Sequence, residues 1–268
     1  MYIPPFDTTS YSTTTQSPNP SWTYGQKVDV TPTGKDWLAG DSAGWKVYNT
    51  AEMDKANIRK LLNSGIAPRP MTIVSTISED GVENLASFSW FNTVTDYPPV
   101  ISFGINRNPA GHLKDTTRNL KNGQGFAVNI ISEAFIENAN AAAVDAPPDV
   151  DEWTLSGLTK EKCVQIRASR VKESAFSMEC ELYKSIDITH PVTGEHTSTL
   201  ILAHVKYFHV RKDMLTGRGA VDLAKFKPVG RVGDISYARV GDTYRIPIPL
   251  WAQEEAKIQE ALKTLAST

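Results

Sequence analysis

Ala67-Pro68-Arg69-Pro70-Met71-Thr72-Ile73-Val74-Ser75-Thr76-Ile77-Ser78-Glu79-Asp80-Gly81-Val82-Glu83-Asn84-Leu85-Ala86-Ser87-Phe88-Ser89-Trp90-Phe91-Asn92 is the stretch whose reading decides the fold of this chain. Apolar and small polar residues alternate through Met71–Ile77, as they do in a β-strand. Asp80-Gly81 then marks a hairpin turn, and Leu85–Phe88 reads as the returning strand. Ser87 and Ser89 stand two apart, so a continuing strand would turn both hydroxyls to one face.

Working outward, Val100–Ile105 and Gly125–Ile131 read as two more strands. Lys114–Asn122 reads as a short helix between them, with Asp115 near its start. Ser132 is placed to cap a helix running to Ala143. Ala146–Trp153 is an acidic, proline-bearing loop with the character of either a lid or a solvated connection. Two long strands, Ser177–Ile188 and Thr199–Val210, flank a turn at His190-Pro191-Val192-Thr193-Gly194. Thr50–Asp54 reads as the start of a short helix ended by Gly65, and Trp251–Leu265 as an amphipathic helix. Many strands, few helices and hairpin connections predict a closed antiparallel sheet.

The domain organisation expected is an arm over 1–50, a barrel over 51–249 and a C-terminal helix over 250–268. The arm begins with threonine-rich and proline-spaced sequence, yet carries Trp22, Trp37 and Trp45. It is expected to be extended and to dock through those rings.

Bulk properties exclude several classes. Lys+Arg 28 against Asp+Glu 30 gives a net charge of −2, so no basic field exists to recruit nucleic acid or an anionic membrane. No run of about eighteen apolar residues is present, and no membrane span is expected. The first residues lack the basic and apolar regions of a secretory signal. The two cysteines, Cys163 and Cys180, show no CxxC spacing and fit reduced thiols in a cytoplasmic protein. His204 and His209 fall on opposite strand faces and no HExxH cluster occurs, so no metal is expected.

The chemistry concentrates in three places. Ser87, Ser89 and Asn92 offer hydroxyl and amide donors to a ligand. On the strand alone, the plainer reading is the polar outer face of a half-exposed sheet. Lys114-Asp115-Thr116-Thr117-Arg118-Asn119 gathers cations and hydroxyls at a helix start, a place that favours phosphate. An ordinary solvated helix start has the same composition, and Asp115 repels phosphate and is expected to cap the turn. Gly194-Glu195-His196-Thr197 holds an isolated histidine that is either functional or a turn residue.

These motifs, with the order and spacing of Ala86–Asn92 and the late segment Pro228-Val229-Gly230-Arg231-Val232-Gly233-Asp234-Ile235-Ser236-Tyr237-Ala238-Arg239, resemble the flavin reductase-like family, the FMN-binding split barrels. The resemblance runs from about Ile58 to Pro249. It implies a mainly β fold, an antiparallel Greek-key split barrel, and FMN as cofactor. It places Ala86, Ser87, Phe88, Ser89, Phe91 and Asn92 at the flavin, and Lys114, Asp115, Thr116 and Asn119 at its phosphate end. Arg69 and Arg231 are added near the site. Glu195-His196 resembles the Gly-Asp-His motif of short-chain flavin reductases, which makes His196, with Tyr237, a candidate catalytic residue. The reaction implied is hydride transfer from NADH or NADPH to FMN and on to oxygen, a partner oxygenase or a small acceptor. Alternatives are an FMN-retaining oxygenase or reductase acting on a small organic substrate, and a non-catalytic flavin- or haem-binding module. Family members are usually homodimers with FMN near the interface. The arm resembles those of fungal members.

Overall fold

Two consecutive strands, joined by only Ser89 and Trp90, form the opposite edges of one seven-stranded antiparallel sheet. The computed structural model describes residues 3–7, 13–108, 110–144, 146–147 and 150–266. In chain order the strands are β1 (Thr72–Ile77), β2 (Glu83–Phe88), β3 (Phe91–Asp96), β4 (Pro99–Asn106), β5 (Phe126–Ile130), β6 (Phe176–Thr189) and β7 (His196–Val210). They bond in the order β2-β1-β5-β6-β7-β4-β3. A connection of two residues spans well under 15 Å. The sheet must therefore roll until the Phe88 end of β2 and the Phe91 end of β3 lie close together, which curls it into a barrel while both edges stay unpaired with each other. The expected mainly β split barrel is the fold observed.

Inside it pack Val74, Ile101, Phe103, Ile105, Phe126, Val128, Met178, Cys180 and Ile201. Phe103 stands against Phe88 and Phe126, with ring centroids 5.4 and 6.0 Å away. The alternation read in Thr72–Ile77 is subtler than a half-exposed strand. Every residue of β1 is buried, including Thr72, Ser75 and Thr76. Their hydroxyls survive burial by bonding main chain or amide groups, as Thr72 does to Asn129 O at 2.9 Å.

Gly125 introduces β5 at φ 72°, where a Cβ would stand 2.4 Å from Ile166 Cγ2. Gly125→Ala combines left-handed strain with overpacking. It is expected to lower stability by about 2 kcal/mol, read as a shift in urea midpoint at constant slope.

A small second sheet lies at the end of this region. Strand β8 (Val229–Val232) pairs with β9 (Ser236–Arg239) on one side and with the two-residue strand Arg69–Pro70 on the other. Three helices matter to the site: α1 (Asp115–Lys121), α2 (Ile136–Ala141) and α3 (Glu152–Ser156).

Local expectations need correction at both of the first two. Lys114, not Asp115, occupies the N-cap of α1, and the Asp115 carboxylate pairs with Arg118. The helix expected over Ser132–Ala143 is broken into a 3-10 turn, Glu133–Phe135, and the six-residue α2. Ser132 stands at the N-cap of that turn without a side-chain bond to it: its backbone bridges Pro228, Glu133 N donates to Lys227 O, and among the described residues its hydroxyl is buried without a partner. The pull of a neighbouring strand wins over a capping signal worth only about 1 kcal/mol.

Residues 59–240 form one compact unit, and 1–58 with 241–268 form another. Within the latter, Thr14–Gln16 pairs in parallel with Thr243–Arg245. The arm is not extended throughout. Thr31 caps a helix over Pro32–Ala39 by accepting from Gly34 N, with Pro32 at its first position. Trp251–Ala266 is the expected terminal helix. Trp22 meets Tyr24 edge-on and Trp45 Nε1 donates to Asp41 Oδ1 at 3.0 Å, but Trp37 and Trp45 are 81% and 88% exposed, so the expected docking through these rings is not what the structure shows.

Candidate functional site

A cavity of about 380 Å³ opens where the edge strand β2 meets the start of α1 and the end of α2. That size suits a small-molecule site. Ala86, Ser87 and Phe88 form one wall, Lys114, Asp115, Thr116 and Arg118 the opposite one, and Ala142, Ala143 and Glu152 close the side. The His112 end is contributed by the turn after β4.

Each wall is held by a specific bond. Asn84 Nδ2 donates to Thr116 Oγ1 at 3.1 Å, and Asn119 Nδ2 donates to Thr76 Oγ1 at 3.0 Å. These two amide–hydroxyl bonds fasten α1 to β1 and β2 and so fix where Lys114 and Thr116 stand. Because Asn84 supplies a proton to Thr116 Oγ1, the threonine's own O–H remains a donor. Arg118 is turned to Asp115 and to Leu113 O (2.8 Å).

The wall at β2 is a sheet edge. Leu85 N donates away from the sheet, to Glu152 Oε2 at 3.4 Å. In an antiparallel pair, successive residues bond alternately inward and outward. Ser87, two residues on, therefore also turns its N–H and C=O outward. Its hydroxyl is committed elsewhere, donating to Ala139 O of α2 at 2.6 Å. Glu152 has its carboxyl pushed up from the ordinary carboxylate range by burial, with the charges of Asp115 and Asp151 adding to the effect and the Leu85 N–H opposing it.

The sequence-derived candidates divide into groups. Ala86, Ser87, Phe88, Lys114, Asp115 and Thr116 meet at the cavity. Asn119 lies behind it, holding α1. Ser89 belongs to the two-residue connection rather than to a strand, so the alternation from Ser87 does not carry to it. Phe91 packs against the barrel core, and Asn92, on β3, accepts from Thr93 N at 2.8 Å. His196 is absent from the cavity lining. Its Nδ1 is 2.7 Å from Arg107 Nη2 and its Nε2 2.9 Å from Ser198 O. A guanidinium only donates, so Nδ1 accepts and Nε2 carries the hydrogen. Arg107 begins the turn in which Asn108 and His112 bond each other at 2.8 and 3.0 Å.

Arg69, Arg231 and Tyr237 form a row of their own across the small sheet. Arg231 is registered with Tyr237 on one side and with Arg69 on the other. Its guanidinium lies over the Tyr237 ring at 4.4 Å, and Tyr237 Oη donates to Asn140 Oδ1 at 2.8 Å. Arg69 is only 8% exposed.

Sequence reading missed Asn84, Asn108, His112 and Glu152. Only Glu152 carried a signal, in the acidic loop. That loop is no free lid at its second half. Asp151 caps α3, and Trp153 is buried; Pro148 and Asp149 lie outside the described residues. Among the described residues no cluster of histidine, cysteine or carboxylate could hold a metal, and no helix is long and apolar enough to cross a membrane.

A barrel whose edge strand and following helix enclose a small-molecule cavity defines a class, and comparison with known proteins identifies it. Residues 64–223 match the flavin reductase like domain, and the chain belongs to that family. An uncharacterized protein of Aquifex aeolicus is 36% identical over 188 residues, which is 70% of this chain and 92% of that one. Among solved structures, nitrilotriacetate monooxygenase component B from Bacillus cereus is 31% identical with a TM-score of 0.72, over 76% of this chain and 99% of that one. A Shewanella frigidimarina protein described as a flavin reductase with a split barrel domain shares the fold. Its TM-score is 0.65 at 18% identity, over 76% of this chain and all of that one.

Proposed function

We propose that this protein is an FMN-dependent oxidoreductase that takes hydride from NADH or NADPH and passes electrons to oxygen, a partner oxygenase or a small acceptor. The observation that carries this reading is the pairing of an outward-facing strand edge at Ser87 with Lys114 and Thr116 across one cavity. That donor set fits a planar heterocycle bearing a phosphate. The outward N–H and C=O of Ser87 would serve the polar edge of the ring, and Lys114 with the Thr116 hydroxyl would hold the phosphate. A bound flavin supplies the two-electron chemistry, so no side chain need act as a strong acid or base. Glu152 fixes β2 through Leu85 N, and Ser87 fixes α2 through Ala139 O, so that the β2 wall and the side of the cavity stay together, while Asn84 ties β2 to α1 through Thr116.

His196 acts through Arg107 on the turn that carries Asn108 and His112, and in that way positions the nicotinamide end of the cavity. The likeness to a monooxygenase component B supports an electron-supplying role beside a partner oxygenase. We take the working form to be a cytoplasmic homodimer with FMN near the interface.

An anaerobic absorbance titration with NADH and then NADPH tests the reading. Bleaching of the flavin band near about 450 nm is the expected result and names the donor. A flavin-loaded protein unmoved by either nicotinamide would remove the reductase assignment. It would favour direct action on an organic substrate or a binding role. A protein that takes up no FMN would remove the flavin itself.

A further inference from the structure

The row Tyr237–Arg231–Arg69 holds two arginines opposite each other in register and, among the described residues, no carboxylate. Among the described residues, no carboxylate oxygen lies within 4.0 Å of either one. Arg239, in the same small sheet, does not behave this way. Two residues beyond Tyr237, it meets Glu133 through Nε at 2.7 Å and Nη2 at 2.9 Å.

Arg69 spends Nη1 on two carbonyls, Asn63 O at 2.6 Å and Ile66 O at 2.5 Å, at the end of the preceding helix. Its Nε is buried and, among the described residues, has no acceptor. Arg231 spends Nη2 on Asp234 O at 2.7 Å. Burial, and then the Arg231 charge, both weaken the hold of Arg69 on its proton. A buried charge is normally paired, and two like charges in register repel. An arginine fork held over an aromatic ring is ready for a planar or tetrahedral oxyanion.

The row also adjoins the cavity through two bonds on successive residues of α2. Ala139 O accepts from Ser87 of the cavity wall, and Asn140 Oδ1 accepts from Tyr237. Ala142 and Ala143, just past the same helix, line the cavity itself.

We propose that Arg231, with Arg69 behind it and Tyr237 beneath it, is the receptor for an oxyanion, carboxylate or phosphate, on the substrate that exchanges electrons with the flavin. The assignment of that substrate rests on the flavin reading above; the anion site itself rests on the arginine row. Arg69 supplies fixed field from within, and Arg231 supplies the fork that touches the ligand. A neutral substrate leaves this row uncompensated and is bound poorly.

The test is calorimetric titration of the wild-type protein, with and without FMN, using sodium phosphate and sodium benzoate at constant ionic strength. The expected result is saturable binding of at least one anion, weakened at least about tenfold in Arg231→Gln, the loss of one charge-assisted bond. Arg231→Lys keeps the charge but not the fork, so it should retain phosphate better than benzoate. FMN affinity, followed by flavin fluorescence quenching, should stay within about twofold in both variants, because Arg231 is absent from the cavity wall. Equal anion binding in wild type and Arg231→Gln, or none in either, would overturn the proposal. Loss of FMN affinity in step with loss of phosphate would overturn it too, by assigning the row to the cofactor. A wild-type protein that binds an anion at Arg231 but no flavin would instead leave the anion site standing and sink the flavin reading.

Discussion

Replacing Glu179 with alanine is expected to remove about 3–5 kcal/mol of stability, the usual result of breaking a buried charged network from one side. Glu179 lies on β6 with its side chain fully buried. Its two oxygens accept from Val164 N at 2.5 Å, Gln165 N at 2.9 Å, Ile166 N at 3.3 Å and His209 Nε2 at 2.5 Å. The carboxylate thus ties the 164–166 loop to the barrel wall. Without it, three amides and an imidazole lose their acceptor, and each unsatisfied donor costs about 1–3 kcal/mol where it stays buried.

The pH dependence follows from the same contacts. Burial opposes the charged form, but the Val164 and Gln165 amides and His209 outweigh it and hold the carboxyl below its ordinary range. A depressed folded-state pKa stabilises the fold above the unfolded value, about 4.3, and that contribution is lost as pH falls from there through the lower folded-state value. Urea denaturation at pH 7 and at about pH 2–3 checks both claims. The wild type should lose stability between the two, and Glu179→Ala should lose less. A change under about 1 kcal/mol at pH 7 would show that water takes over the amides without penalty.

Lys114→Ala is expected to weaken FMN binding about 10- to 100-fold, the loss of one charge-assisted contact to a phosphate. Asp115→Asn is expected to act in the opposite direction. Asp115 places a negative charge in the cavity wall and also occupies Arg118. Neutralising it removes a repulsion and releases a guanidinium about one helical turn from Lys114, so FMN should bind several-fold tighter. Fluorescence titration of FMN into both variants, repeated with riboflavin, separates the phosphate term. Riboflavin affinity should be nearly unchanged by either substitution. An equal loss for FMN and riboflavin in Lys114→Ala would show that the wall had collapsed rather than lost a phosphate contact. Asp115→Asn binding more weakly than wild type would show that the Asp115–Arg118 pair is needed to shape α1.

Much of the barrel was legible before any coordinates. The strands read over 72–77, 85–88, 100–105 and 125–131 follow from alternation in the first, from the Asp80-Gly81 turn and from short apolar runs, which are local properties of the chain. Capping was less legible. At Ser132 and Asp115 a correct local signal lost to a bridge to Pro228 and to Arg118. Of the site, the Ala86–Phe88 and Lys114–Thr116 segments stood out because small, hydroxylic and cationic residues cluster there. Asn108 and His112 did not, since they enter together from the turn after β4, and Glu152 enters from the start of α3.

By itself the sequence determined that this is a mainly β chain of the flavin reductase-like family, because alternation and turn chemistry act over a few residues and motif spacing is preserved along the chain. Tertiary structure decided which groups face the cavity. Ser87 gives its hydroxyl to Ala139, 52 positions away, and keeps only its backbone edge outward. Arg231 meets Arg69 across 162 positions of chain. Such pairings depend on sheet register and on which strand ends as an edge, and these are set only when the whole sheet closes.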